Sequence, residues 1–193
     1  MYNLIKLLEL SKTIKRLKIE GKYDSVMQDE VKLITNEENG FTTLYINGSD
    51  DDPREWANNF YAIPKKNKMH RGYRLSAIAI YERYTGMVDH NNLVVTGHSR
   101  GGGIAQAYAH LFGCKECVTF GSPRVFAPSL QPNFNHTRVF ASNDPVDNIP
   151  PFWLGFKHYS TSTIKLDGNG RNGIQNHKDY ITLLERAIDG LDK

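Results

Sequence analysis

At 193 residues the chain is long enough to bury one substantial core and too short for two comfortable ones, so a single domain over residues 1–193 is expected. With 39% hydrophobic residues, 23% charged residues and a net charge of +3, it lacks the composition of a disordered chain and the basic excess of a nucleic-acid binder. No run of residues is apolar enough to span a membrane.

The first 22 residues, MYNLIKLLELSKTIKRLKIEGK, are the basic part, with Lys6, Lys12, Lys15, Arg16, Lys18 and Lys22 against Glu9 and Glu20. Leu7, Leu10, Ile14 and Leu17 recur at intervals of three and four, and Leu4 and Leu8 widen the stripe, which predicts an amphipathic helix. Its apolar face either packs on the domain or makes a peripheral contact with an anionic membrane or lipid surface. Charges interrupt the apolar residues and no small-residue cleavage site follows, so the segment does not read as a signal peptide and a cytoplasmic location is expected. On that expectation the glycosylation sequons at Asn47 and Asn135 are inert.

VKLIT (31–35) and FTTLYI (41–46) predict two strands joined by the turn NEENG. DPREWANNF (52–60) predicts a short helix, with Asp52 as N-cap, Pro53 in the first turn and Glu55 completing a capping box; Trp56 and Phe60 then share a face. GYRLSAIAIYERYTG (72–86) has a helical period up to Gly86. NLVVTG (92–97) predicts a buried strand, followed by a helix from about Gly101 to Phe112, the strand CVTFG and a loop with three prolines. TRVFA (137–141) predicts the next strand, then come a Pro-rich loop through Pro151, a strand near 158–166 and a final helix from about Lys178 to Leu191. This alternation of helix and strand predicts a layered α/β fold around a largely parallel sheet.

Cys114 and Cys117 form a lone C-x-x-C that leads into a strand, without further ligands at zinc spacing, so ordinary buried thiols are expected. In DGNGRNG (167–173), Arg171 stands where a calcium loop needs an oxygen ligand and Lys178 where it needs a bidentate Glu. A plain loop and no metal are expected there.

Gly97-His98-Ser99-Arg100-Gly101 fits G-x-S-x-G, a pattern too short to carry weight alone. Its context gives it weight, because it sits between a predicted strand and a predicted helix, where a sharp turn holds a serine in strained geometry with glycines on both sides. The helix N-terminus beyond it favours developing negative charge. A phosphate-binding loop is the competing reading, but GHSRGGG supplies neither G-x-x-x-x-G-K-[ST] nor G-x-G-x-x-G.

A serine hydroxyl becomes a good nucleophile only when a base takes its proton and a third group orients that base. The chain continues in the required order of acid and then histidine. Asp144 lies three residues past a predicted strand end with Asp147 as its rival, and His136, His158 and His177 all follow Ser99. An oxyanion hole needs two donors. One is the backbone N–H of Arg100, and the loop NGSDD after the strand FTTLYI is placed to supply the second.

HRGY (70–73), VTGHSRGGGIAQAYA, VTFGSPRV (118–125), NDPVDNIPP (143–151), GFKH (155–158) and NHKDY (176–180) together resemble the class 3 lipases, over about residues 40–182. The resemblance implies an α/β-hydrolase-type fold, a mostly parallel central sheet flanked by helices. It assigns the acid to Asp144, the base to His177 and the second oxyanion donor to Ser49, leaving Asp147 to order the loop and His158 without a catalytic role. Asn47 stands where the family usually has Arg. The short helix bearing Trp56 and Phe60 takes the place of the family's lid, as a mobile cover or a fixed wall of the pocket. Arg100 also departs from the family, and its side chain either favours an anionic substrate at the pocket mouth or pairs with a nearby acid. His70 and His98 read as hydrogen-bonded packing groups.

The implied activity is hydrolysis of lipid acyl esters, acylglycerol or phospholipid, through a Ser-His-Asp triad and without metal or organic cofactor. An acyltransferase or a thioesterase would use the same residues. A non-catalytic hydrolase-fold module that binds a lipid or a partner is the alternative of a different class.

Overall fold

The computed structural model describes residues 3–38, 40–47, 69–168, 170 and 172–190. Ser49, Trp56 and Phe60, the capping residues Asp52, Pro53 and Glu55, and Arg171 lie outside the described residues.

Seven strands form one sheet in sequential order: β1 (Asp24–Val26), β2 (Asp29–Thr35), β3 (Thr42–Asn47), β4 (Leu93–His98), β5 (Glu116–Phe120), β6 (His136–Ala141) and β7 (Ser162–Leu166). The first three pair antiparallel and β3 through β7 pair parallel. β1 is too short and too polar to show in the sequence, and a hairpin with Met27 at a φ of 55° joins it to β2.

Helices cover both faces, and alternation along the strands divides the core between them. On one face, α2 (Arg71–Tyr84) and α3 (Arg100–Phe112) pack Tyr73, Ile80, Ile104 and Tyr108 against Leu44, Ile46 and Val95. On the other, α1 (Leu4–Ile19) and α5 (Tyr180–Asp189) pack Leu7, Ile14, Leu17 and Leu184 against Tyr45, Val118, Phe120 and Val139. Leu7 is fully buried, which is worth about 2 kcal/mol for a side chain of its size. Leu7, Ile14 and Leu17 of the stripe predicted for α1 thus pack on the fold's own core, with Leu4, Leu8 and Leu10 partly buried beside them. Asn3 caps this helix, accepting from the Lys6 N–H at 2.9 Å.

The final helix, expected from about Lys178 to Leu191, is α5, and the short helix before it is not among the expected elements. α4 (Gly173–Lys178) and α5 are separate, broken at Asp179, whose φ of −133° and ψ of 52° leave the helical region. Asp179 then caps α5, accepting from the Thr182 N–H at 3.4 Å and from the Thr182 hydroxyl at 2.9 Å. Local polar competition of this kind ends one helix and starts another, which hydrophobic periodicity does not register.

Candidate active site

The parallel strands bring their C-terminal ends to one edge of the sheet, and the candidate residues leave from those ends, as ligand sites in open α/β sheets do. Ser99 follows β4, Gly121 follows β5, Asp144 follows β6, and His177 sits in α4 beyond β7.

Ser99 has a φ of 57° and a ψ of −129°, far from where L-residues rest, and its N–H is held by the Phe120 carbonyl at 2.9 Å. Two glycines make the turn possible. A Cβ at Gly97 would run into the Gly101 carbonyl, and a Cβ at Gly101 would run into the Ile46 carbonyl. The strand, the turn and the first turn of α3 therefore touch backbone to backbone. Ser99 emerges at the start of α3, whose first N–H groups have no intrahelical partner, and the Arg100 N–H is among the first of them.

The Ser99 hydroxyl lies 2.6 Å from His177 Nε2, and His177 Nδ1 lies 3.0 and 2.9 Å from the two carboxylate oxygens of Asp144. Because a carboxylate accepts, Nδ1 carries the proton and Nε2 is left to accept from the serine. All three side chains are buried. Asp144 is held further by the Val146 N–H at 2.8 Å and by the Tyr180 hydroxyl at 2.7 Å. Tyr180 accepts in turn from the Ala141 N–H at 3.0 Å. Burial, with Asp144 beside it, raises the Tyr180 phenol well above its ordinary range, so it stays a donor. Gly121, at a φ of 52°, leaves the space that Asp144, Tyr180 and His177 fill.

His98 contributes from the side. Its Nε2–H donates to the His177 carbonyl at 2.6 Å, and the two rings lie 4.6 Å apart. Burial and the neighbouring His177 hold its pKa down to about 3, so the ring stays neutral and tethers the backbone of the candidate base. His70 caps α2, accepting from the Tyr73 N–H at 3.5 Å. Both act as the packing groups read from the sequence.

The rival residues go elsewhere. His136 is buried in β6, donating to the Tyr159 carbonyl and accepting from the Thr119 hydroxyl. His158 donates from Nε2 to the Asp147 carbonyl at 2.7 Å, and burial, reinforced by Arg138, lowers its pKa to about 3. Asp147 forms an ion pair with Arg138. Burial raises the Asp147 pKa while Arg138 opposes the rise. None of the three bonds to Ser99 or His177 among the described contacts.

Arg100 takes the second of its two expected roles. Its guanidinium pairs with Asp29, Nε to Oδ1 at 2.9 Å and Nη2 to Oδ2 at 3.4 Å. Asn47 is buried and donates to Glu30 Oε2 at 2.6 Å, which keeps that sequon's amide inside the fold, whereas Asn135 is exposed. Cys114 and Cys117 are free thiols; Cys117 is buried, and burial lifts the Cys114 pKa to about 12.

Sequence reasoning did not single out Tyr180, Gly121 or Asp29. Tyr180 stands in the quoted NHKDY and Gly121 in VTFGSPRV, so a motif pointed at both; Asp29 carries no local signal at all.

The model of the lipase (class 3) family matches residues 43–153. The chain belongs to the class 3 lipase family. A "Secreted mono- and diacylglycerol lipase 1" of Fusarium solani is 36% identical over 107 residues, covering 51% of this chain and 30% of that protein. This class 3 lipase chain thus spans about a third of the length of that curated relative. Rhizomucor miehei triacylglyceride lipase superposes with a TM-score of 0.62 at 19% identity, over 84% of this chain and 79% of that one. A lipase from Rhizopus microsporus var. chinensis gives 0.58 at 19%, over 86% and 75%. At such identities the likeness concerns the fold, and the class 3 lipase chain shares the α/β-hydrolase-type architecture of these neighbours.

The Fusarium solani relative is named as secreted, which overturns the cytoplasmic location expected from the sequence. That expectation rested on the charges of the first 22 residues, of which Leu4–Ile19 form a helix packed on the fold. Among the described residues no helix is long and apolar enough to cross a membrane.

Proposed function

We propose that this chain is a serine carboxylic-ester hydrolase that cleaves acyl esters of lipids. The observation that carries the reading is the hydrogen-bonded series Ser99–His177–Asp144, with the serine on a strained strand-to-helix turn. Family membership agrees with it.

In the first half-reaction Ser99 Oγ bonds to the ester carbonyl carbon while its proton passes to His177 Nε2. The carbonyl π electrons move onto oxygen, and the Arg100 N–H, with Ser49 as its proposed companion, stabilises that charge. Asp144 stabilises the imidazolium across its two short contacts. Collapse of the intermediate breaks the bond to the alcohol oxygen, which takes the proton from Nε2 and leaves. Water then repeats the sequence on the acyl-enzyme, with His177 as base, and releases the fatty acid. Trp56 and Phe60 are proposed to border the acyl chain.

Partial acylglycerols are the first substrates to test, since the Fusarium solani relative is named for them. The experiment pairs a fluorophosphonate probe with a panel of monoacyl-, diacyl- and triacylglycerols, phospholipids and acyl thioesters. Labelling at Ser99 and release of fatty acid, both lost in Ser99→Ala, are expected. Folded protein that neither labels nor turns over any ester would favour the binding module instead. Acyl transfer to an added alcohol in preference to water would favour the acyltransferase.

A further inference from the structure

Resting on that reading, we infer that the buried Arg100–Asp29 ion pair is a positioning device for the oxyanion hole, acting through the backbone N–H of Arg100. Arg100 is the residue directly after Ser99, so its main chain and side chain serve different ends. Its N–H opens the first turn of α3, while its guanidinium reaches away from the serine into the layer between β2 and α2.

There it is fastened on three sides. Asp29, whose carboxylate is fully enclosed at the start of β2, accepts two of its N–H bonds. The Ser76 hydroxyl of α2 accepts a third at 3.3 Å. The Tyr73 ring lies 6.0 Å from the guanidinium carbon. A bidentate arginine–carboxylate pair fixes direction as well as distance, because a planar fork meets a planar acceptor. Rotating the peptide between Ser99 and Arg100 would therefore drag a buried charge off its partner, at the cost of a lone carboxylate in the protein interior.

The neighbouring residue of β2 makes a parallel contact. Glu30 accepts from Asn47 at the end of β3, and Asn47 and Ile46 are the residues against which Gly101 packs backbone to backbone. Consecutive acids of one strand thus hold the first turn of α3 and the strand end it rests on. Neither acid bonds to Ser99 or His177 among the described contacts, so Asp29 and Arg100's side chain are positioning groups rather than reacting ones. The hairpin that presents Asp29 is itself strained at Met27, whose φ of 55° suits glycine better.

A donor aimed at the transition state affects turnover more than binding. The test compares steady-state kinetics of the parent with Arg100→Leu/Asp29→Leu, which removes both charges together and leaves no unpaired charge, a replacement that folds often tolerate. The expected result is a fall in kcat of about tenfold to a hundredfold with KM within about twofold and an unfolding temperature close to the parent's. Arg100→Lys keeps the charge without the fork and is expected to lose about threefold to tenfold in kcat. If the double variant does not fold, Arg100→Lys decides alone. Parent-like kcat in whichever variant decides would overturn the inference while leaving the hydrolase reading intact. Parent protein that shows no Ser99-dependent turnover would overturn that reading itself.

Discussion

Tyr180 and His177 approach the same oxygen of Asp144, the phenol donating at 2.7 Å and the imidazole Nδ1 at 2.9 Å. The carboxylate is therefore held from two sides by residues three apart in the chain, one at the end of α4 and the other at the start of α5. Replacing Tyr180 by Phe keeps the ring packing, removes one donor from Asp144 and leaves the Ala141 N–H without its acceptor. A lost buried hydrogen bond is worth about 1 kcal/mol, so kcat is expected to fall about threefold to tenfold, with a small drop in stability. Stopped-assay kinetics and a denaturant titration measure both, and unchanged kinetics would show that His177 and the Val146 N–H suffice to keep Asp144 in place.

The geometry at Ser99 predicts a conflict between stability and activity. A residue at a φ of 57° and a ψ of −129° stores about 1–3 kcal/mol of backbone strain, which glycine would not incur. Ser99→Gly is expected to abolish turnover and raise the unfolding temperature, whereas Ser99→Ala abolishes turnover and keeps the strain. Calorimetry on the two variants checks this, and a Gly variant no more stable than the Ala variant would refute it.

Asp144 and Asp147 separate cleanly by their partners. Asp144→Asn removes the charge facing His177, and a loss in kcat on the order of 10⁴-fold is expected with the fold retained. Asp147→Asn breaks a largely buried pair with Arg138, and a loss of about 3 kcal/mol of stability is expected while per-molecule turnover survives. Active-site titration with the fluorophosphonate distinguishes lost turnover from lost protein. The opposite pattern would make Asp147 the acid.

Four histidines make the fold acid-sensitive. Burial is the leading cause that depresses the pKa of His70 and His136 to about 4, and that of His98 and His158 to about 3, from the ordinary 6.5. The unfolded chain takes up these protons first on acidification. Stability from these groups is thus complete above about 6.5 and drains away as the pH falls toward the folded values. The raised carboxyls of Asp147 and Glu116 work in the opposite direction at lower pH, so the informative window is about 7 to 5.5. Urea midpoints should decline across that window, and less steeply in His136→Gln. A flat profile would mean that these rings take up protons in the native state as readily as in the unfolded chain.

Local sequence settled what depends on local physics. Alternating and helical hydrophobic periods marked α1, α2, α3 and the strands from β2 to β6, because burying one face requires those periods whatever lies opposite. The glycines around Ser99 marked the sharp turn, since no other residue fits there. Choosing among His136, His158 and His177, or between Asp144 and Asp147, was a different kind of question. Each of these residues is polar and close to a strand end or a loop, so spacing alone left them as rivals, and only the resemblance carried by NDPVDNIPP and NHKDY pointed to Asp144 and His177. The parallel sheet carries the ends of β4, β6 and β7 to one edge, where Ser99, Asp144 and His177 meet across gaps of 33 to 78 residues. The same holds for Arg100, whose partner Asp29 lies 71 residues earlier on the far side of β3. Contacts of that separation are set by how strands pair, and pairing depends on the whole chain.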